Sequence, residues 1–518
     1  MMEGPVNLEG CVSPHSAKRR NAPPRAHSMI ESLRGMGYST ATALADIVDN
    51  SISASASEVN IHFEWNDGEG YIHVLDNGNG MDDVALDNAM QLGAKNPLEE
   101  RGADDLGRFG LGLKTASFSQ ARRLTVASKT RNDAGVPCFR WDLDLLSVPG
   151  DEGWHLYEGP DPLSASRMEP LADLDHGTLV LWEKLDRIIT SGFTVQDFLD
   201  LQDEVERHLA MTFHRLLAGQ GEGLVVRING KPIAGWDPFM EGHPGKAWAS
   251  PEYVLAGSKD VRVQCHLLPH KDMLKPQELT EGAGPAGWIV QQGFYIYRNK
   301  RLLVAGGWMG LEADGRSLTR DEPHRLARIR LDIPNSADAE WKIDIRKSSA
   351  RPPVRYRKQL LRLAVETRDK ARQVFAHRGQ WNPAATGKAI AEAWVAEKSR
   401  GSTRYRISRS HEAIASLLER SGSLRKDLEA LLRIIEETVP IQRIWLDTVD
   451  NRETPRNGFA EAPAPEVLAL LQGMFRNLVQ QRKLSADEAK SRLLLTAPFD
   501  RFPDLVAQLS TGTTENAG

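Results

Sequence analysis

The ten residues LADIVDNSIS, at positions 44–53, combine a core-forming pattern with polar side chains that could do chemistry. The apolar residues recur at helical spacing: Leu44, Ile47, Val48 and Ile52. Asp46 and Asn50 are four residues apart, so they lie on one face of such a helix, with Asp49 beside them. An Asn carbonyl is a suitable Mg²⁺ ligand, and a carboxylate one turn away can orient or deprotonate a water molecule. A solvated polar face is the alternative explanation of the same pattern.

A second candidate is Asp76, which ends a predicted strand and opens the turn DNGNGM. Its carboxylate accepts hydrogen bonds from a donor, and the 6-amino group of adenine is such a donor. Gly78 and Gly80 would let the backbone pass close to a flat ligand. An ordinary Asp-Asn-Gly turn explains the same residues without any ligand.

A third candidate is the glycine-rich stretch GADDLGRFGLGLKTAS at residues 102–117. Its last three glycines precede a predicted helix that begins near Leu113: Gly107, Gly110 and Gly112. Backbone N–H groups in such a loop can hold phosphate. It is not a Walker A loop, because Leu113 separates the last glycine from Lys114. The stretch is therefore a phosphate-binding loop of another kind, or a flexible linker.

The elements that must position these residues follow from the hydrophobic pattern. Alternation of apolar and polar residues predicts five strands: 58–65, 70–81, 123–130, 138–144 and 177–184. Helical periodicity predicts three helices: 29–35, 40–55 and 82–92. Because helices and mostly antiparallel strands are mixed, we predict an α/β two-layer sandwich for about the first 190 residues.

A second α/β block follows the first. Its predicted elements are a helix at 195–217, strands at 260–267 and 287–306, and a long helix at 354–377. The remainder of the chain is predicted to be mostly helical. The sequence thus predicts four regions: a flexible basic N-terminus at 1–27, a first domain at 28–192, a second at 193–378 and a helical C-terminal region at 379–518.

Taken together, the three motifs occur in an order that resembles the ATP-binding region of the GHKL superfamily. This superfamily contains type II topoisomerases, heat-shock chaperone ATPases, histidine kinases and MutL. The segment HGTLVLWEKL at 176–185 is similar to a strand of these proteins whose Thr helps to hold adenine, here Thr178. The resemblance covers about residues 28–190 and implies a Bergerat-type α/β sandwich that binds ATP with Mg²⁺.

The resemblance also implies a role for each matching residue. The ATP-binding positions are Asn50, Asp76, Gly78, Gly80, Met81, Gly107, Arg108, Phe109, Gly110, Leu111, Gly112, Lys114 and Thr178. Asn50 would bind the Mg²⁺ ion, Asp46 would activate the attacking water, and residues 93–106 would form a lid over ATP. The superfamily usually has Glu where Asp46 stands, which predicts slow hydrolysis, and Ser53 replaces an Asp that is common in relatives.

Two later segments resemble the transducer of MORC-type and MutL-type ATPases. They are GFYIYRNKRLLVAGGW at 293–308 and WKIDIRKSSARPP at 341–353. In that family a lysine of the second domain reaches the γ-phosphate. Lys347 matches this catalytic position best and Lys342 is the competitor, while an ordinary surface lysine is the alternative explanation. In overall sequence character the chain resembles prokaryotic MORC-like proteins most. The genes of those proteins are often found beside restriction–modification and phage-defence genes.

Charge indicates where a nucleic acid would bind. The chain has a net charge of −5, but residues 342–378 contain 12 Lys or Arg and three Asp or Glu. Such a stripe, with the second basic stretch KSRGSTRYRISR at 398–409, would follow a phosphate backbone without reading its sequence. A solvated helix that pairs with acidic neighbours is the alternative.

Composition limits the cellular setting. The three cysteines are too scattered for a disulfide framework or a zinc site: Cys11, Cys138 and Cys265. No apolar run is long enough to span a bilayer, and the first residues contain no apolar signal segment. We therefore predict a cytoplasmic protein without a membrane partner.

These observations predict an ATPase that acts as a molecular clamp. ATP would order the lid and produce a homodimer that traps DNA, and hydrolysis would reopen it. One alternative is a chaperone-like ATPase that grips a protein client, with protein partners bound through the C-terminal region. Another is an ATP sensor without useful turnover, which Asp46 makes plausible.

Overall fold

The computed structural model describes most of the chain, in twelve segments. These are residues 24–35, 37–66, 69–93, 112–132, 135–147, 153–217, 223–343, 350–376, 391–399, 402–444, 465–496 and 499–510. The chain divides into two compact units, Met1–Trp381 and Asn382–Gly518. Residues 1–23 of the predicted flexible N-terminus lie outside the described residues.

Eight strands form the first sheet of the larger unit. They are β1 (Glu58–Asn66), β2 (Glu69–Asp76), β3 (Arg123–Lys129), β4 (Cys138–Asp142), β5 (Tyr157–Glu158), β6 (Gly177–Glu183), β7 (Val225–Ile228) and β8 (Lys231–Pro232). Their order across the sheet is β5-β4-β3-β6-β2-β1-β7-β8. Neighbouring strands are antiparallel, except that β1 and β7 are parallel.

Five helices belong to the same region. They are α1 (Ala26–Arg34), α2 (Thr40–Ser53), α3 (Asp83–Met90), α4 (Gly112–Phe118) and α5 (Val195–Thr212). Helix α2 contacts both α4 and α5, and its apolar side packs in one core with strands β1 and β2. Burial of this apolar stripe against the sheet is what stabilises the helices. The predicted α/β sandwich is confirmed.

The first core extends beyond the boundary predicted after residue 192. Phe198 and Val205 of α5 and Val226 of β7 are buried in the same cluster as Leu44 and Val48 of α2. Strand β7 extends the sheet by pairing with β1, although the two strands are far apart in sequence. The first sheet and its core therefore include residues on both sides of the predicted boundary, because local patterns do not reveal a parallel pairing between distant segments.

The second sheet contains β9 (Trp248–Ala249), β10 (Tyr253–Val254), β11 (Arg262–Leu267), β12 (Gly293–Arg298) and β13 (Arg301–Ala305). A short hairpin, β14 (Glu312–Ala313) with β15 (Arg316–Ser317), precedes β16 (Ala327–Ile333), which belongs to the second sheet. The sheet order is β10-β11-β16-β12-β13, with β9 on β11. Its helices are α6 (Pro276–Ala283), α7 (Gly287–Val290), α8 (Asp338–Trp341) and α9 (Val354–Ala376), of which α9 packs on β11 and β16.

One predicted strand is in fact three elements. The sequence predicts a continuous strand over residues 287–306, but they form α7 and the hairpin β12–β13. The turn residues Asn299 and Lys300 have φ angles of 48° and 66°. These are the left-handed conformations that a tight two-residue hairpin turn requires. The turn places Arg301 at the start of β13.

The smaller unit is mostly helical, as predicted. It begins with the antiparallel hairpin β17 (Trp394–Ser399) and β18 (Ser402–Ile407) and continues with α10 (Glu412–Arg420), α11 (Arg425–Glu437), α12 (Pro465–Gln480), α13 (Ala486–Leu493) and α14 (Pro503–Ala507). Much of the basic stretch at 398–409 therefore lies on this hairpin. In the part of the chain that the structure describes, no helix has the length and apolar character needed to cross a bilayer.

Candidate functional site

Helix α2 carries the acidic residues of the site on a firmly placed backbone. The Ser39 hydroxyl accepts from the Thr42 N–H, and the Thr42 hydroxyl oxygen accepts from the Ser39 N–H, which closes a capping box at the helix start. Asp46 and Asp49 are only 5% and 1% exposed, whereas Asn50 is exposed. The polar side of α2 is therefore not a solvated face, because two carboxylates are withdrawn from water.

Asp76 lies at the end of β2, and its carboxylate accepts hydrogen bonds from the Ser51 side chain and from the backbones of Gly78 and Thr178. The Ser51 hydroxyl of α2 donates to Asp76 Oδ2 at 2.7 Å, and the Gly78 N–H donates to Asp76 Oδ1 at 2.9 Å. Burial raises the pKa of Asp76, and these hydrogen bonds oppose that rise. A carboxylate has about four acceptor positions, so this one can accept from a further donor such as an exocyclic amine.

The predicted partner Thr178 lies directly opposite Asp76 in the β2–β6 pairing. The hydroxyl oxygens of Thr178 and Ser128 are 2.8 Å apart, and the Met81 N–H donates to Ser128 Oγ at 2.8 Å. The ends of β2, β3 and β6 are therefore tied to the loop that follows Asp76. The structure brings Asp76, Gly78, Met81 and Thr178 together at one edge of the sheet.

The two glycines of the DNGNGM turn are required by packing within the chain itself. A Cβ atom at Gly78 would lie 2.8 Å from Ala54 Cβ, and one at Gly80 would lie 1.9 Å from the Lys129 carbonyl oxygen. Gly80 also has a φ of 71°. The loop thus passes between the end of α2 and the end of β3, where a side chain has no room.

The start of α4 faces the Asp46 carboxylate. A Cβ at Gly112 would lie 4.0 Å from Asp46 Oδ2, and the Tyr38 hydroxyl donates to the same oxygen at 3.0 Å. The rest of the predicted phosphate-binding loop lies outside the described residues: Gly107, Arg108, Phe109, Gly110 and Leu111. The same is true of the predicted lid at 93–106, apart from Gly93.

Lys114 is buried in α4 and donates hydrogen bonds to the end of the neighbouring helix α3. Its ammonium donates to the carbonyl oxygens of Ala89 and Gln91, at 2.8 and 2.9 Å. These carbonyls lie at the end of α3, where a positive charge satisfies unpaired acceptors and favours the helix dipole. The phosphate contact predicted for Lys114 would require these two hydrogen bonds to be exchanged.

The comparison with known protein families matches this part of the chain. Residues 38–178 match the family described as "Histidine kinase-, DNA gyrase B-, and HSP90-like ATPase". The matched range contains α2, Asp76 and its loop, α4 and Thr178, which are the elements of the candidate site. Residues 38–178 form a GHKL-type ATPase domain. The resemblance to the GHKL superfamily that the three motifs indicated is confirmed.

A curated relative supports the MORC-like character of the chain. ATPase morc-1 of Caenorhabditis elegans is 24% identical over 192 residues, which cover 31% of this chain and 22% of the relative. The match therefore spans less than a quarter of that protein's length.

The GHKL domain receives one side chain that the sequence-based prediction missed. Arg301, at the start of β13 in the second domain, reaches α2 and is itself 4% exposed. Its Nε lies 2.8 Å from both carboxylate oxygens of Asp49, and its Nη2 lies 3.7 Å from Asp46 Oδ1. The second domain thus supplies a guanidinium to the two buried carboxylates of the GHKL domain.

The aromatic and imidazole neighbours of Arg301 come from the region of α5. The guanidinium carbon lies 5.8 Å from the centre of the Phe213 ring. Burial, together with the Arg301 charge, lowers the pKa of His208 to about 4. His208 is therefore neutral near pH 7, and it adds no second cation beside Asp49.

Of the two lysines predicted to reach the γ-phosphate, the structure describes only Lys342. Lys347 lies outside the described residues, while Lys342 is exposed beside α8, with a φ of 49°. The segment YRNKRLL indicated the turn that precedes Arg301, but not the partner of its side chain. An Asn-Lys pair between two apolar runs is compatible with a tight hairpin turn, and the residue after such a turn has a fixed direction.

Proposed function

We propose that this chain is an ATP-dependent molecular clamp. It binds ATP with Mg²⁺ in the GHKL domain, hydrolyses it slowly, and closes as a homodimer around DNA. The observation that carries the proposal is the contact of Arg301 with Asp49, because it joins the second domain to the same helix that contributes to the candidate ATP site. A change at the nucleotide can thereby alter the position of the second domain.

The residues around Asp76 fit adenine. Asp76 is fixed by Ser51 and Gly78, and its remaining acceptor capacity suits the exocyclic amine of the base. Thr178 lies beside it, and the position of its hydroxyl is fixed by Ser128. This pre-ordered set of polar groups is what selective recognition of a flat base requires.

The exposed side chain of Asn50 offers an oxygen atom that is suitable as a Mg²⁺ ligand. A protein commonly supplies one or two oxygen ligands to Mg²⁺, and water and substrate phosphates supply the rest. When bound, the ion would neutralise negative charge on the phosphates. Asp46 lies one turn earlier on α2, where it would orient the attacking water and accept its proton at Oδ1.

Helix α9 supports DNA as the client. One side packs against the second sheet through Tyr356 and Leu360, which are buried. Five basic residues of α9 are exposed: Arg355, Arg357, Lys358, Arg362 and Arg372. Arg355 pairs with Glu340 at 2.6 Å and Arg362 lies 3.8 Å from Glu366, so the exposed side retains a positive balance. Such side chains bind the phosphate backbone independently of base sequence.

The clamp is tested by sedimentation and ATPase assays with and without DNA. We expect a monomer without nucleotide and a dimer with a non-hydrolysable ATP analogue, and DNA should change the ATPase rate. A protein that remains monomeric with the analogue and ignores DNA at low salt would refute the clamp and favour a protein client. The restriction–modification and phage-defence context is part of this proposal and rests on the resemblance to prokaryotic MORC-like proteins.

The basic residues of α9 give a second expected result. Changing Lys358 and Arg372 to Gln should weaken DNA binding. The slope of log affinity against log salt should become less negative by about 0.9 for each phosphate that is no longer neutralised. Fluorescence anisotropy with a random duplex at several salt concentrations measures this slope. The control is Lys231→Gln, because Lys231 is exposed on the edge strand β8 of the first sheet. Equal slopes in all variants would exclude α9 as the DNA surface.

An ATP-dependent switch with little turnover is a second candidate. The observation that favours it is the environment of Asp46, whose Oδ2 accepts from Tyr38 and whose Oδ1 lies near the Arg301 guanidinium. Both oxygens of the candidate base therefore already have neighbouring donors that compete with an attacking water molecule. Steady-state hydrolysis separates the two candidates, since a switch would bind ATP without measurable phosphate release.

A further inference from the structure

Each nitrogen of the Arg301 guanidinium lies near an oxygen atom of α2 or of its own hairpin. Its Nε serves both oxygens of Asp49, its Nη1 donates to the Leu302 carbonyl oxygen at 2.9 Å, and its Nη2 faces Asp46. The side chains of Arg301, Asp46 and Asp49 are each no more than 5% exposed. Because water scarcely reaches these groups, solvent screening of the charges is weak. Movement of the β12–β13 hairpin away from α2 would leave buried carboxylates without this cation.

Helix α2 connects this contact to the other residues of the candidate site. Asp46 and Asp49 are three residues apart, so they are neighbours on the helix surface. Asn50 and Ser51 follow at once, and the Ser51 hydroxyl donates to Asp76. A helix is a stiff element, so a force applied at Asp49 acts on the candidate base, the candidate metal ligand and the adenine-facing residue together.

The other end of the connection leads to the basic helix. Strand β13 pairs with β12, and β12 pairs in parallel with β16. Helix α9 packs on β16. The hairpin that carries Arg301 is therefore part of the same sheet that supports the proposed DNA surface.

We propose that Arg301 is a positioning residue for ATP hydrolysis, which couples the second domain to the ATP site by holding α2 through Asp49. The inference rests on the proposed function and assigns its regulation to a named contact. Arg301 acts through Asp49 and Asp46 and does not need to touch the nucleotide. Hydrolysis reaches its full rate only while the hairpin is docked on α2.

The test compares Arg301→Gln with Arg301→Lys and Lys300→Gln in the full chain. Lys300 is the matched control, since it is the preceding residue, carries the same charge and is exposed. We expect Arg301→Gln to lower kcat about 10- to 100-fold, because small displacements of catalytic groups are costly, and to leave KM for ATP within about twofold. Arg301→Lys should recover part of kcat, since it keeps the charge but not the planar fork. Lys300→Gln should match the wild type.

A double variant separates positioning from folding. Arg301→Gln combined with Asp49→Asn removes both charges and leaves neither carboxylate nor guanidinium of this pair buried alone. We expect its thermal unfolding temperature to recover relative to Arg301→Gln, while kcat stays low. A double variant with wild-type kcat, or an Arg301→Gln variant with wild-type kcat, would overturn the inference. A wild-type protein that does not hydrolyse ATP would instead refute the proposed function itself.

Discussion

Replacing Asp76 with Asn should weaken ATP binding on the order of 100-fold, which corresponds to about 2–3 kcal/mol for the removal of a hydrogen bond to a charged group. The amide would direct a donor towards the amino group of adenine, which is also a donor. The fold should survive, because the Asn oxygen can accept from the Gly78 N–H and the Ser51 hydroxyl can accept from the amide. Isothermal calorimetry with ATP and Mg²⁺ measures the affinity.

The control for this change is Asp83→Asn. Asp83 is an exposed carboxylate in the first turn of α3, so the variant removes the same charge without changing the pocket. Because burial raises the pKa of Asp76, ATP affinity of the wild type should also fall on acidification at a higher pH than for an exposed carboxyl. An unchanged ATP affinity in Asp76→Asn would show that adenine does not bind at this edge of the sheet.

Replacing Asp46 with Asn should lower kcat by about 100- to 10,000-fold, the range over which a positioned general base contributes. The substitution keeps the size of the side chain, and its oxygen can still accept from the Tyr38 hydroxyl. ATP affinity should therefore stay close to that of the wild type. Phosphate release measures kcat, and calorimetry measures affinity on the same preparation.

Two further variants at α2 sharpen this result. Asp46→Glu restores the residue that the superfamily usually has and should raise turnover. Asn50→Ala should abolish Mg²⁺-dependent ATP binding as well as turnover, since the exposed amide is the candidate metal ligand. Equal turnover in Asp46→Asn and wild type would exclude Asp46 as the base. No turnover in the wild type, with ATP still bound, would favour the switch.

Local pattern was sufficient for the elements that carry the motifs. The predicted helix at 40–55 is α2, and the predicted strand at 58–65 is β1, because apolar period and burial agree in both. The strand that ends at Asp76 and the helix that follows the glycine-rich stretch are present as β2 and α4. These elements form their hydrophobic faces from residues close together in sequence, so a single stretch contains the necessary information.

Local sequence patterns could not predict the long-range contacts. The parallel pairing of β1 with β7 depends on two segments separated by most of the first domain. Lys114 has the residue type and spacing of a phosphate ligand, but its place beside the end of α3 depends on how two helices pack. Arg301 gave no local sign that its charge would be buried against Asp49. In each case the partner is defined by tertiary structure alone.

The contact between Arg301 and Asp49 has a consequence for the order in which the chain is made. The two residues are 252 positions apart, and at roughly 5–20 residues per second the ribosome needs about 13–50 s to pass from one to the other. Throughout that interval α2 lacks the guanidinium that balances its acidic side chains. The GHKL domain therefore reaches its native charge balance only after part of the second domain has been translated, although every strand of its own sheet has been complete since residue 232.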